Sequence, residues 1–261
     1  MTAHRKTWIG FVVGAWALMG GGREAWAVLG GETTVGDTFV VGYIFAGRTE
    51  ICSGMLVAPR VVLTSATCIK AAVDAGTVGT GTGWWGQDQD VADQDHVFNI
   101  VAGRYHRLYE PLSFNYDVGV LLLDRDVAGP SPAPPPARLH DGAFPDGVAG
   151  NTLRVSGYGA NLIQGEDYLG QGVRRTGNVL ISTVGYFLIR GGDDMVNACR
   201  GDSGAPLFYD FGVEGEKVIA IAAETSRCQV PTAKTRLDLV WADFVVPAID
   251  AWDGPCSVGG G

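Results

Sequence analysis

Apolar residues fall in short runs bounded by Gly, Pro, Asn and Asp, and over most of the chain they do not recur at helical spacing. That is the pattern of strands joined by turns. Phe39–Phe45 reads as a strand interrupted by Gly42. Phe98–Val101, Val118–Leu123, Thr152–Gly159, Asn178–Ser182 and Val218–Ala222 supply further strands. Near the C-terminus the period changes. Trp241, Phe244, Val245, Ala248, Ile249 and Trp252 recur at helical spacing and predict an amphipathic closing helix, with Pro247 bending it or delaying its start. Between Ala71 and Gln94 the pattern lapses into Gly and Asp around Trp84 and Trp85, which reads as a long surface loop. Gly129–Pro136 is too rich in proline to pair in a sheet and is expected to be an extended connection.

Composition sharpens this picture. A chain of 261 residues, 46% hydrophobic, has material for a large core; 39 glycines against 4 methionines favour an all-β protein with many turns. A net charge of −9 argues against nucleic acid or an anionic membrane as partner. The basic start His4-Arg5-Lys6, the apolar stretch Trp8–Met19 and the small-x-small site Ala25-Trp26-Ala27 read as a signal peptide over 1–27. No later stretch is long enough for a membrane helix, so the processed protein is expected to be secreted, monomeric and free of the membrane. Five cysteines in an exported chain suggest disulfides and one left over.

The densest chemistry lies in Cys199-Arg200-Gly201-Asp202-Ser203-Gly204-Ala205-Pro206-Leu207. A serine between glycines presents its hydroxyl on a tight turn, and the amides of Gly201 and Ser203 can face one point where a carbonyl oxygen would gain charge. This stretch resembles the nucleophile segment of the trypsin/chymotrypsin serine protease family. The resemblance implies two six-stranded antiparallel β-barrels packed together with a C-terminal helix: a first barrel over 28–128, a Pro-rich connection over 129–140, a second barrel with the helix over 141–253, and a tail over 254–261. It extends to Asn115-Tyr116-Asp117-Val118, matching the segment that carries the acid orienting the catalytic histidine, and to Val28-Leu29-Gly30-Gly31, matching the processed N-terminus whose ammonium pairs with the acid before the nucleophile, here Asp202. Cys52 with Cys68 and Cys199 with Cys228 are the disulfides it favours. Cys256 is left in the tail.

The departures matter as much. Ile51–Cys68 resembles a unit that normally ends Thr-Ala-Ala-His-Cys, but this chain writes Thr64-Ser65-Ala66-Thr67-Cys68, so Thr67 occupies the general-base position. A hydroxyl has no useful basicity near neutral pH. His106 matches a surface histidine of the family, and His96 and His140 fall in loops. The pocket floor is Asn197, and Thr225 and Thr232 stand where glycines normally line the walls, leaving a slot for a small side chain only. Ala223 and Glu224 replace a serine and an apolar shelf beside it. Asp88, Asp90, Asp93 and Asp95 read as a solvated acidic loop rather than a Ca²⁺ site, and no metal or cofactor is expected. Losing the histidine of such a triad costs on the order of 10⁶ in turnover. The leading expectation is therefore a catalytically impaired homologue that binds a protein or peptide. The alternatives are an active endopeptidase with a non-standard base that cleaves after small residues, and a carbohydrate-binding module built on Trp84 and Trp85.

Overall fold

A computed structural model describes residues 28–86, 88, 96–127, 136–223, 225 and 228–253. The leader over 1–27, the acidic positions Asp90, Asp93 and Asp95, most of the Pro-rich stretch, Glu224 and Cys256 lie outside the described residues.

Six strands close the first barrel: β2 (Val40–Phe45), β3 (Cys52–Ala58), β4 (Val61–Thr64), β5 (Gly81–Trp85), β6 (Val97–Tyr105) and β7 (Gly119–Leu123), paired in the order β2-β3-β4-β7-β6-β5. The second barrel uses β8 (Thr152–Gly157), β11 (Arg175–Val184), β12 (Leu188–Gly191), β13 (Pro206–Asp210), β14 (Glu216–Ala222) and β15 (Thr232–Arg236), closed by pairing between β8 and β11. The short strand β1 (Glu32–Thr33) adds to its edge at β11, and a small hairpin, β9 (Leu162–Gln164) with β10 (Asp167–Leu169), stands apart. All of these pairings are antiparallel. Closure leaves no long free sheet edge.

Each barrel fills its own interior, and a third apolar cluster joins them. Met55, Leu63 and Val118 of the first barrel meet Phe208, Val218 and Ile221 of the second, together with Phe244, Val245, Ala248 and Ile249 from the C-terminal segment. The closing helix α2 (Val246–Asp253) follows a wider turn over Trp241–Val245 in which the Val245 amide reaches back to Val240. Pro247 has no N–H to continue regular pairing, so the α-helix proper begins only at its doorstep.

The stretch expected as a surface loop over 71–94 is largely ordered and partly interior. Helix α1 (Ala66–Asp74) runs into it, and β5 crosses its middle with Trp84 and Trp85 each only 4% exposed. The glycines there make room for rings. A Cβ on Gly42 would overlap the Trp84 indole, and one on Gly83 would overlap the Phe98 ring. Trp84 packs edge-on against Tyr158 at 5.6 Å, and Trp85 stacks on Phe98 at 6.3 Å. Neither indole can serve as a sugar platform.

Candidate active site

Ser203 sits on a turn forced by Gly201 at φ 102° and Gly204 at φ 88°, angles that favour glycine. A Cβ on Gly201 would press on the Gly159 backbone, and one on Gly204 would overlap the Ser53 carbonyl and the Thr64 hydroxyl. The turn is closed by the Asp202 amide donating to the Cys199 carbonyl and the Ala205 amide to the Asp202 carbonyl, both 2.8 Å. Ser53, which sequence reasoning passed over, anchors it from the first barrel: its hydroxyl donates to the Gly201 carbonyl at 2.8 Å and accepts the Tyr158 amide at 3.0 Å. The amides of Gly201 and Ser203 have no acceptor among the described residues.

Ser203 is 8% exposed, and the partner of its hydroxyl is Thr225 Oγ1 at 2.8 Å. Thr67 lies elsewhere in the network. Its amide donates to Asp117 Oδ1 at 2.7 Å, its hydroxyl donates to Asp117 Oδ2 at 2.8 Å, and Tyr109 Oη meets the same hydroxyl at 2.8 Å. Asp117 is fully buried, and burial pushes its carboxyl up to about 6, against the lowering effect of the Thr67 bonds and the Ala66 amide. Those two amides open α1, whose N-cap Ser65 offers no side-chain cap. Asp117 thus caps a helix from another element, a structural duty that requires no catalysis.

None of the three described histidines reaches this network. His106 is buried at 3% exposure rather than on the surface; it stacks on Tyr116 at 4.7 Å and faces Asp243 at 3.5 Å. His140 stacks on Phe211, and His96 packs beside Trp85.

The residues read from the sequence as floor and walls of a narrow pocket, Asn197, Thr225 and Thr232, are all buried. Asn197 donates from Nδ2 to the carbonyls of Cys228 at 2.9 Å and Val230 at 2.7 Å, and its Oδ1 accepts the Thr232 hydroxyl at 2.9 Å. Lys234, two residues on and so on the same face of β15, turns its ammonium inward to the Gly191 carbonyl, the Thr232 carbonyl and the Thr232 hydroxyl at 2.7, 2.9 and 2.6 Å. Asn197, Thr225, Thr232 and Lys234 are at most 4% exposed. The alternation Thr232-x-Lys234 was the available signal for Lys234.

Asp202 is also fully buried. It accepts the Gly159 and Cys199 amides, both at 2.8 Å, and burial pushes it up to about 7, with Arg175 pulling the other way. Val28 is buried in the second barrel, and Leu29 bridges to Asn197, so the 28–31 segment is docked in that barrel. Its nitrogen here is a peptide nitrogen joined to residue 27. Two disulfides tie the region: Cys52–Cys68 spans β3 and α1, and Cys199–Cys228 links the serine turn to the Thr225 loop. Among the described residues, no three His, Cys, Asp or Glu side chains gather as a metal site.

The trypsin family model matches residues 28–238. The chain belongs to the trypsin family. Curated relatives include glucanase inhibitor protein 1 of Phytophthora sojae, 28% identical over 195 residues that cover 70% of this chain and 71% of the relative. Glucanase inhibitor protein 3 of Phytophthora sojae is 30% identical over 198 residues, covering 70% and 72% respectively. Among solved structures, the scabies mite inactivated protease paralogue S-D1 superposes with a TM-score of 0.68 at 15% identity, covering 87% of this chain and 98% of that one, which establishes the shared trypsin-family fold. No helix among the described residues is long and apolar enough to cross a membrane.

Proposed function

We propose that this chain is a non-catalytic member of the trypsin family that works by binding a protein partner, and that the partner is a glucanase. The observation that carries the reading is the environment of Ser203: its hydroxyl is paired with another hydroxyl, Thr225, and the position facing Asp117 holds Thr67. Neither hydroxyl accepts a proton at neutral pH, so Ser203 stays a weak nucleophile. The names of the Phytophthora relatives supply the partner class. In this reading the leader is removed after Ala27, the protein acts outside the cell, and the new ammonium of Val28 pairs with Asp202.

The runner-up, an endopeptidase cleaving after small residues, needs both a base and an open pocket. The interior Asn197–Thr232–Lys234 network disfavours the second, and the histidine placements disfavour the first.

Two measurements test the proposal. A fluorophosphonate probe at neutral pH is expected to leave the protein unlabelled, and stoichiometric labelling of Ser203 would overturn the non-catalytic reading. Added to secreted glucanases, the protein is expected to lower their activity, with Ser203→Ala equally effective. A panel of glucanases left fully active, with no complex detected by gel filtration, would overturn the partner assignment.

A further inference from the structure

The hairpin of β9 and β10 belongs to neither barrel, yet it is anchored. Ile163 and Tyr168 face each other across it and pack on the Cys199–Cys228 disulfide. Arg200, from the turn that carries Ser203, lies 5.5 Å from the centre of the Tyr168 ring and pairs with Glu50 of the first barrel at 2.9 Å. Those contacts fix one face. The opposite face carries the cross-strand pair Leu162 and Leu169, and Leu169 is 41% exposed.

The two strands differ in what surrounds them. On β10 the Tyr168 carbonyl accepts Gln171 Nε2 at 3.4 Å. Along β9, beyond the hairpin itself, no backbone group of Leu162–Gln164 has a partner among the described residues. Proteins commonly blunt such an edge with Lys, Pro or a bulge; this one reads Leu162-Ile163-Gln164. The turn beside it exposes Glu166 and Asp167, and neither carboxylate is in an ion pair among the described residues.

We propose that β9 is a docking edge for a protein partner, which adds an extended segment there as a third strand, its apolar side chains over Leu162 and Leu169 and a Lys or Arg beside Glu166 and Asp167. Strand addition pairs the free amides and carbonyls of both chains at once, and alternate side chains supply the selectivity. Two strands alone are marginal in water, so a third is favoured where the first two are already anchored. Charge selects the occupant: the acidic turn favours a basic segment, and a net charge of −9 on each molecule opposes a second copy of this chain. The docking role rests on the protein-binding reading above and does not need the partner to be a glucanase, so peptide binding and glucanase inhibition can fail separately.

Titration of the full chain with the capped peptide Lys-Val-Thr-Val-Thr-Lys, followed by NMR, tests it. The expected result is saturable binding in the millimolar range, as about three backbone hydrogen bonds allow, with slowed amide exchange at Leu162–Gln164. The same peptide N-methylated at every nitrogen between the lysines should bind about tenfold more weakly, and a version flanked by glutamates roughly two- to fivefold more weakly. Glu166→Lys with Asp167→Lys changes two exposed turn positions and leaves the anchors Ile163 and Tyr168 in place. It should reverse the preference between the lysine and glutamate peptides. No saturable binding, equal binding of the N-methylated peptide, protection only outside Leu162–Gln164, an unchanged lysine preference in the double variant, or a dimer of the free chain that buries this edge would each overturn the proposal.

Discussion

Freeing the amino group of Val28 should reverse how the second barrel responds to pH, through Asp202. In the uncleaved chain this carboxyl is fully buried, takes two amide hydrogen bonds and sits at about 7 instead of its usual 3.8. A folded-state value above the unfolded one means that the native protein holds a proton the unfolded chain has lost. Stability is then greatest below the usual value and falls as pH rises toward the folded value. At about 1.4 kcal/mol per pH unit, the displacement amounts to a loss on the order of 4 kcal/mol between pH 4 and pH 7. In the proposed pairing, a protein beginning at Val28 would instead present an ammonium to Asp202. The carboxylate then gains a cationic partner, its value drops below the ordinary range, and the same pH interval stabilises. Asp117, also raised by burial, contributes equally to both forms and cancels in their difference. The assay is urea unfolding at a series of pH values between 4 and 8 for proteins starting at Val28 and at Ala27, with Asp202→Asn in each. The difference between the two forms should grow with pH and vanish in Asp202→Asn. Parallel curves for the two starts would refute the ion pair.

Three further outcomes follow from the packing and from the two altered positions. Trp84→Ala empties the space that Gly42 makes for an indole and should cost about 3–5 kcal/mol by denaturant unfolding; a cost under about 1 kcal/mol would mean the ring is not a core element. Asn197→Ala leaves the Cys228 and Val230 carbonyls and the Thr232 hydroxyl short of a partner and should destabilise by about 2 kcal/mol or more, measured as a shift in the unfolding midpoint. Thr67→His, placed opposite Asp117, should gain fluorophosphonate labelling yet still hydrolyse no peptide until Thr232→Gly is added; peptide turnover by Thr67→His alone would show that the pocket is open.

Much of the fold was legible because strand periodicity and the turn residues are local signals. Val40–Phe45, Gly119–Leu123, Thr152–Gly157 and Glu216–Ala222 stand where alternating or apolar runs put them. The interior of 71–94 was not, because Gly81 and Gly83 read as loop chemistry, and the distant Gly42 as a break in a strand, while all three admit rings. Whether a glycine makes a turn or a socket is decided by the partner strand, which the sequence does not state. The substitution at Thr67 was visible in one position. Its consequence was not: that Asp117 would find a cap's work at Ala66 and Thr67 depends on a contact between residues fifty apart. His106 was misread for the same reason, since the lid that buries it comes from Phe244 and the closing segment.

These contacts change what the retained residues argue. Asp117 keeps hydrogen-bonded work at the start of α1, Gly201 and Gly204 keep a turn that fits Gly159 and Ser53, and Asp202 keeps two amides in place. Each can persist for stability alone, so the survival of a protease-like Gly-Asp-Ser-Gly carries little weight on activity. The proposed loss of activity rests on two positions that share no structural duty, Thr67 and Lys234. On the proposed reading, a hydroxyl at the base position leaves Ser203 protonated, and the Lys234 ammonium, bonded inward to Thr232, takes up room in the pocket. The two changes share no contact among the described hydrogen bonds, and either one blocks a different step, deprotonation or side-chain entry. On the proposed reading, peptide hydrolysis would need both a base at position 67 and room at Thr232, which is the strongest physical reason to read this trypsin-family surface as one that holds a partner and does not cut it.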